Sequence, residues 1–348
     1  MEIEALIRKK VRELKPYHCA RQDYLTGVLL DANENAFGSV LTKGKLALNR
    51  YPDPYQREVR TILAALNDVS IENIFAGAGS DEVIDLLVRV FCEPRIDSVI
   101  VIEPTYGMYA VAASIQDVEV RSSLLTSSFQ IDVQNVKRML DSTTKIIFCC
   151  SPNNPTANLL NREDILELCK LGCIVVVDEA YIDFARTESM ANYINQYPNL
   201  VILRTMSKAW GLAGIRFGYC IADPVIISYL MKIKLPYNIS ALTSRTALQA
   251  LARQEELKKN VEEIIKERER FAEELSDLLC ISHVYPSVTN FLLIKCTDAT
   301  MLHKVLASKG IIVRNRSSEP LLENCLRITV GTREENDLLI KTIKEYFE

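Results

Sequence analysis

A lysine near hydroxyl side chains and an arginine is the part of the chain with the clearest chemical meaning. Lys208 follows the apolar run Leu200–Leu203, Thr205 and Ser207 precede it closely, and Arg216 lies eight residues after it. Hydroxyl groups, backbone amides and a guanidinium together bind phosphate well. A lysine beside a phosphate site and a carboxylate is typical of Schiff-base chemistry with pyridoxal phosphate (PLP). The combination favours a PLP site over a solvated surface lysine.

A carboxylate follows the preceding apolar run of the chain. Asp178 comes directly after Ile174–Val177, and ligands of open α/β sheets collect at the carboxyl ends of strands. A carboxylate buried there is costly unless a positive charge meets it. Asp178 is therefore a candidate partner for a cationic group of a ligand, and a loop carboxylate or helix cap is the alternative.

Two further segments could contact the same ligand. Ala76–Asp81 places two glycines and a serine before a predicted helix over Asp81–Cys92, and the free N–H groups of a helix N-terminus bind anions. Tyr106 follows the predicted strand Ser98–Ile102, where its ring could stack on a planar cofactor. A simple capped turn and an ordinary core tyrosine are the respective alternatives.

The elements that must position these residues form an alternating pattern. Between about residue 70 and residue 222, short runs rich in Val and Ile alternate with helical segments, which predicts a mostly parallel sheet covered by helices on both faces. After residue 240 a long predicted helix, Ala241–Leu279, leads into predicted strands that include Gly310–Val313. This is the outline of a smaller α+β domain. We predict an α/β fold with an N-terminal arm at 1–29, a large domain at 30–240 and a small domain at 241–348.

Composition excludes several classes of protein. The 348 residues carry 41 basic and 45 acidic side chains without a basic run, so nucleic-acid binding is not expected. The apolar runs are too short to cross a bilayer. Without an export signal, we expect a cytoplasmic protein with reduced cysteines. The three histidines are scattered and Cys169 and Cys173 lack a second ligand pair, so no metal site is predicted.

Several segments together resemble a known family. Asn153–Thr156, Asp178–Tyr181 and Ser207–Ala209 with Arg216 resemble the signature of fold-type I PLP-dependent aminotransferases. More narrowly, six segments are similar to those of histidinol-phosphate aminotransferases: Leu30–Asn35, Arg50–Pro54, Gly79–Leu87, Pro104–Tyr109, Asp178–Phe184 and Leu326–Thr332. The match covers nearly the whole chain in the expected order. It implies transamination of L-histidinol phosphate with 2-oxoglutarate, giving imidazole-acetol phosphate and L-glutamate, in histidine biosynthesis.

The resemblance implies a role for each matching residue around the cofactor. Lys208 would hold PLP covalently and later shuttle a proton, and Asp178 would pair with the pyridinium nitrogen. Tyr181 and Asn154 would hydrogen-bond the phenolic oxygen of the ring. The other implied cofactor contacts are Tyr106, stacked on the ring, and the phosphate ligands Ser80, Asp81, Thr205, Ser207 and Arg216.

The resemblance also implies a partner subunit and substrate-binding residues. Tyr51 would reach the phosphate of the cofactor in the neighbouring subunit, which implies a homodimer with shared sites. Arg327 would bind a substrate anion, and Arg314 could converge with it if their strands pair. Tyr17 resembles a tyrosine that closes over the substrate. For Arg314 and Tyr17, a structural role is the alternative.

One position departs from the family pattern, because Ala157 stands where the family has glycine. If the position needs a positive φ, alanine costs about 1 kcal/mol or shifts the turn. We expect altered loop geometry and retained cofactor binding.

Three other functions are compatible with parts of this pattern. Two are enzymes, namely a threonine-phosphate decarboxylase and a broad aromatic aminotransferase. The third is a PLP-sensing regulator with a DNA-binding head, which the 16 residues before Tyr17 disfavour.

Overall fold

The runs rich in Val and Ile form the strands of a large sheet in the computed structural model, which describes residues 2–41 and 47–347. The strands are β1 Ile74–Gly77, β2 Ser98–Glu103, β3 Glu119–Leu124, β4 Thr144–Cys150, β5 Ile174–Asp178, β6 Leu200–Thr205, β7 Gly218–Ile221, β8 Ile281–Val284, β9 Phe291–Cys296, β10 Arg314–Asn315 and β11 Cys325–Thr329. The α-helices are α1 Ile3–Leu6, α2 Lys9–Glu13, α3 Arg57–Leu66, α4 Ser80–Phe91, α5 Met108–Ile115, α6 Val133–Met139, α7 Arg162–Cys169, α8 Pro224–Ile233, α9 Ala241–Leu251, α10 Gln254–Ser276, α11 Ala299–Ser308 and α12 Arg333–Phe347. Short 3₁₀ helices cover Ile71–Asn73, Ile182–Phe184, Met190–Tyr193 and Ala213–Ile215. None of the described helices is both long and apolar enough to span a bilayer.

The large sheet has seven strands in the order β1-β7-β6-β5-β4-β2-β3. Strands β3, β2, β4, β5 and β6 run parallel, and β7 pairs antiparallel with both β6 and β1. Alternation along β5 explains why both faces are covered: Val175 and Val177 pack in the core that includes α3, α6, α7 and α9, whereas Ile174 and Val176 pack against α4, α5 and α8. The predicted mostly parallel α/β sheet is confirmed.

A second sheet of four antiparallel strands, ordered β10-β11-β9-β8, follows in the chain. Its core contains residues from α10, α11 and α12, among them Phe271, Leu302 and Ile340. This sheet and its helices correspond to the predicted α+β region. Where the arm, the large domain and the small domain divide stays a prediction.

Two predicted elements after residue 240 were wrong. The single helix over Ala241–Leu279 is divided at Ala252 and Arg253 into α9 and α10. The division lets Leu251 pack in the core of the large sheet while Phe271 packs in that of the small sheet. Gly310–Val313 forms no strand, because the N–H of Ile311 bonds the Leu306 carbonyl at 2.9 Å and completes the end of α11.

The described residues between α2 and α3 are held by ion pairs rather than by regular structure. The buried guanidinium of Arg21 donates to Asp31 Oδ1 and Glu34 Oε2, both at 2.6 Å, and Arg50 donates to Glu34 Oε2 at 2.7 Å. The other oxygen of Glu34 accepts the backbone N–H of Tyr51 at 2.7 Å. Glu34 therefore connects the start of this segment to the residue implied in cofactor binding.

Burial of Glu34 disfavours its ionised form, yet hydrogen bonds from Arg21, Arg50 and the Tyr51 amide outweigh burial and lower its pKa to about 2 from the usual 4.5. A depressed pKa stabilises the fold above the unfolded-state value, and the contribution is lost as pH falls towards the folded-state value. We therefore expect the destabilisation caused by Glu34→Gln, measured by chemical denaturation, to shrink as pH falls from about 4.5 to about 2. The exposed glutamate Glu273, changed to Gln, is the control. If Glu34→Gln lowered the free energy of unfolding by the same amount over this whole pH range, the result would contradict the lowered pKa of Glu34.

Candidate active site

A cavity of about 490 Å³ lies between the carboxyl ends of the large-sheet strands and the edge of the small sheet. It brings together most of the residues predicted from the sequence: Ser80, Asp81, Tyr106, Asn154, Asp178, Tyr181, Thr205, Ser207, Lys208, Arg216, Arg314 and Arg327. The large-sheet residues follow or end strands β1, β2, β4, β5 and β6. These strands run in one direction, so their carboxyl ends share one edge of the sheet.

One end of the cavity is built from the start of α4. Gly79 precedes the helix with φ +84°, and a Cβ on Gly218 would lie 2.3 Å from the Ser80 nitrogen. Glycine at 218 therefore lets β7 approach the helix N-terminus, where unpaired N–H groups attract an anion.

Side chains from three other segments surround this helix start. Arg216 donates to Asp81 Oδ2 at 3.2 Å, and the Tyr106 hydroxyl donates to Asp81 Oδ1 at 3.1 Å. The Thr205 hydroxyl accepts the Ser207 N–H at 3.1 Å. A guanidinium, hydroxyls and helix N–H groups form a donor set that suits a phosphate dianion.

Asp178 lies buried at the end of β5. Its Oδ2 accepts the hydroxyl of Tyr109 at 2.7 Å, and its Oδ1 accepts the Ala180 N–H at 3.0 Å. Burial raises the pKa of this carboxyl above its ordinary value, and the two hydrogen bonds partly oppose that rise. A buried carboxylate in this position favours a cationic partner in the cavity.

Tyr109 is a site residue that sequence reasoning missed. It lies in α5, is fully buried, and its ring stacks on Phe148 with 4.9 Å between centroids. Tyr106 precedes the helix, and the contact of Tyr109 with Asp178 spans 69 residues of the chain, so no local sequence signal marks Tyr109 as a site residue.

Lys208 shares the cavity with Asp178 and lies close to Tyr181, with its Nζ 5.5 Å from the centroid of that ring. Burial lowers the pKa of the Lys208 amine, and the positive charge of Arg327 lowers it further. A lowered pKa increases the fraction of neutral amine, the form that acts as a nucleophile and as a base.

The small sheet supplies the opposite wall of the cavity. Arg327 on β11 donates to Asn154 Oδ1. The amide N–H groups of Asn154 therefore stay available to donate to a ligand. Arg314 lies directly opposite Arg327 in the β10–β11 pair. The condition for their convergence, that the strands carrying them pair, is therefore met by β10 and β11, and both arginines line the cavity. Arg316 and Cys150, which were not predicted, also line it.

Two predicted residues lie outside this cavity. Tyr17 is 76% exposed and lines a separate depression next to Tyr229 and Lys232. Tyr51 is 49% exposed, and its ring stacks on Tyr237 with 4.4 Å between centroids. Their roles therefore stay predictions.

Ala157 adopts the left-handed conformation with φ +65° and is fully buried. Its N–H bonds the Asn153 carbonyl, and its carbonyl accepts the Val288 N–H, both at 2.9 Å. Its methyl group packs in a cluster with Tyr181 and Phe291. The turn thus takes a positive φ with alanine in place.

Among the described residues, no group of three or more His, Cys, Asp or Glu side chains is placed to hold a metal ion.

Comparison with known proteins gives consistent matches over most of the chain. A family model described as aminotransferase class I and II matches residues 26–343. The histidinol-phosphate aminotransferase of Flavobacterium johnsoniae is 47% identical over 349 residues, which cover 99% of this chain and 98% of the relative.

Solved structures match as well. The histidinol-phosphate aminotransferase from Clostridium acetobutylicum is similar with a TM-score of 0.79 and 26% identity, covering 86% of this chain and 90% of that chain. The fold is also shared with the enzyme from Sinorhizobium meliloti in complex with pyridoxal-5'-phosphate, at a TM-score of 0.77 and 23% identity, covering 86% of this chain and 84% of that one.

The Tyr109 hydroxyl stabilises the ionised form of Asp178, and a hydrogen bond to a charged group contributes about 1.5–3 kcal/mol. We expect Tyr109→Phe to raise the Kd for PLP by about tenfold or more, measured by absorbance titration of the apoenzyme. Tyr219→Phe, which removes a buried hydroxyl outside the cavity, is the control. Equal effects of the two variants would contradict a specific role for Tyr109.

Opposing effects of about equal size act at residue 157. Ala157→Gly relieves left-handed strain of about 1–2 kcal/mol, which stabilises the fold. It also loses a buried methyl worth about 0.8 kcal/mol and makes the unfolded chain more flexible, which costs about 0.4–1 kcal/mol of stability. We expect the free energy of unfolding to change by less than about 1 kcal/mol, with the PLP content unchanged. A variant that binds PLP while the original protein does not would show that Ala157 disables the site.

Proposed function

The chain belongs to the aminotransferase class I and II family, and from this premise we propose that it transfers the amino group of L-histidinol phosphate to 2-oxoglutarate. The products are imidazole-acetol phosphate and L-glutamate, and the reaction belongs to histidine biosynthesis. The observation that carries the proposal is the cavity itself, in which Lys208 and Asp178 face the paired arginines Arg314 and Arg327.

The cofactor in this proposal is PLP. When bound, PLP supplies an electron sink that stabilises negative charge on the substrate carbon. Asp178 would hold the proton on the ring nitrogen, because a buried carboxylate favours a cationic partner. Asn154 and Tyr181 would donate to the phenolic oxygen. The phosphate would be held by the Ser80 and Asp81 amides with Thr205, Ser207 and Arg216, and Tyr106 would cover the ring.

Lys208 would act as the base and acid of the reaction once its amine is released. Its Nζ would take the proton from the carbon that bears the substrate amino group and hold it for its later return. The lowered pKa of Lys208 supports this role, because it increases the fraction of neutral amine, the form that can accept a proton.

The arginine pair would bind the anionic end of the substrate. Two guanidinium groups suit a phosphate dianion, and one of them can bind a carboxylate of glutamate in the second half-reaction. Arg327 and Arg314 are the proposed pair, and Tyr17 is the residue proposed to close over the substrate.

We further propose a homodimer in which Tyr51 contacts the cofactor phosphate of the neighbouring subunit. Two observations support it. Tyr51 lies outside the cavity of its own chain, and the ion-paired segment that carries it exposes large apolar side chains, including Val28, Phe37 and Val40. Such exposed apolar surface is typical of a protein interface.

A cytoplasmic location is part of the same proposal. All ten cysteines lie in the described residues, and all are buried and unbridged. Reduced cysteines are usual where thiol reductants are present.

A donor panel with 2-oxoglutarate as acceptor tests the function. We expect L-histidinol phosphate to bleach the absorption band of the lysine-bound cofactor and to yield glutamate. Phenylalanine and phosphothreonine should react poorly, since neither combines an imidazole with a phosphate. Lys208→Ala should lose both the band and the turnover, while Lys259→Ala, on the exposed side of α10, should keep both.

Other outcomes of this panel would decide against the proposal. Release of carbon dioxide from phosphothreonine without a keto-acid requirement would indicate a decarboxylase. Equal use of phenylalanine and histidinol phosphate would indicate a broad aromatic aminotransferase. A band that persists in Lys208→Ala would contradict the Lys208 assignment.

A further inference from the structure

Three arginines share one face at the edge of the small sheet. Arg314 lies opposite Arg327, and the Arg316 N–H donates to the Cys325 carbonyl at 2.9 Å, so the pairing continues past β10. Residues two apart on an extended strand point to the same side. Arg314 and Arg316 therefore face the same way as Arg327, and all three line the cavity.

The side chain of Arg316 is oriented by one acidic neighbour. Its Nη1 donates to Glu319 Oε1 at 2.6 Å. The Arg316 Nε and the Glu319 Oε2 are both buried and have no hydrogen-bond partner among the described residues. A buried donor without an acceptor is costly, so a small shift of the Arg316 side chain that let an anion in the cavity accept from this Nε would be favoured.

The charges of this wall are not balanced. Glu319 offsets one of the three guanidinium groups, which leaves a surplus of positive charge near Arg314 and Arg327. Burial lowers the pKa of Arg327, and the charges of Arg316 and Arg314 lower it further, which reflects the mutual repulsion of the three groups. An anion with two charges relieves that repulsion better than an anion with one.

We propose that Arg316 is a third anion-binding residue of the substrate site, oriented by Glu319, and that it favours a substrate ending in a phosphate dianion over one ending in a carboxylate. The inference rests on the proposed function and deepens it. It separates the two half-reactions: the phosphorylated donor uses all three arginines, whereas the carboxylate of glutamate needs only one arginine of the Arg314 and Arg327 pair.

Steady-state kinetics of three holoenzyme variants test this inference. Arg316→Gln should raise the KM for histidinol phosphate about tenfold or more, with kcat within about twofold and the KM for glutamate raised less than about threefold. Glu319→Gln keeps an acceptor for Arg316 and removes the opposing charge, so it should lower the KM for histidinol phosphate. Arg333→Gln, an exposed arginine outside the cavity, is the matched control for loss of one charge.

A purely structural ion pair gives a different pattern. In that case Arg316→Gln and Glu319→Gln both remove the charge attraction between residues 316 and 319, and both variants shift the KM for histidinol phosphate in the same direction. This result would overturn the inference. An equal rise of both KM values in Arg316→Gln would also overturn it.

A binding measurement separates this inference from the proposed function. If the original enzyme does not turn over histidinol phosphate, the proposed function is wrong, but inorganic phosphate still probes the arginines. Phosphate should raise the thermal unfolding temperature of the holoenzyme, and Arg316→Gln should need severalfold more phosphate for half of that effect. Equal phosphate dependence in Arg316→Gln and the original holoenzyme would overturn the role of Arg316.

Discussion

A negative charge buried at the end of a central strand is the constraint around which the site is organised. Asp178 lies where β5 ends between β4 and β6, and burial there opposes its ionisation. Tyr109 and the Ala180 amide stabilise the carboxylate from the protein side, the charge of Lys208 adds to this, and a cation in the cavity would stabilise it further. The same parallel strands deliver Thr205 and Asn154 to the edge where that cation would bind. The strand order and the chemistry of the site therefore share one requirement, that the buried charge of Asp178 is balanced.

The sequence was sufficient to predict this edge because strand ends are easy to locate. Asp178 and Thr205 follow or end runs of Val, Ile and Leu, and a parallel sheet brings such ends together without any knowledge of long-range packing. Tyr109 was beyond this reasoning, since it reaches Asp178 from 69 residues away in the chain. The break between α9 and α10 was also hidden, because no glycine or proline marks it and the two cores that separate the helices form only in three dimensions.

Sequence patterns could not predict two parts of the structure, the strand register of the small sheet and the irregular segment before α3. Arg314 and Arg327 converge because β10 and β11 pair in one particular register, and a shift by one residue would turn one of them away. Only two residues form β10, so its sequence carries no periodic signal. The segment that holds Tyr51 depends on Arg21, Glu34 and Arg50, and ion pairs between irregular residues leave no period to detect.

The bond between Asn154 and Arg327 joins the two walls of the cavity. Asn154 belongs to the loop after β4 of the large sheet, and Arg327 belongs to β11 of the small one. The bond is one of the contacts that hold the small sheet against the large one, together with the packing of Phe291 against Tyr181. The bond uses only Nη1 of Arg327, so the other donors of its guanidinium stay available to an anion in the cavity. One side chain can therefore hold the two sheets together and bind a ligand between them at the same time.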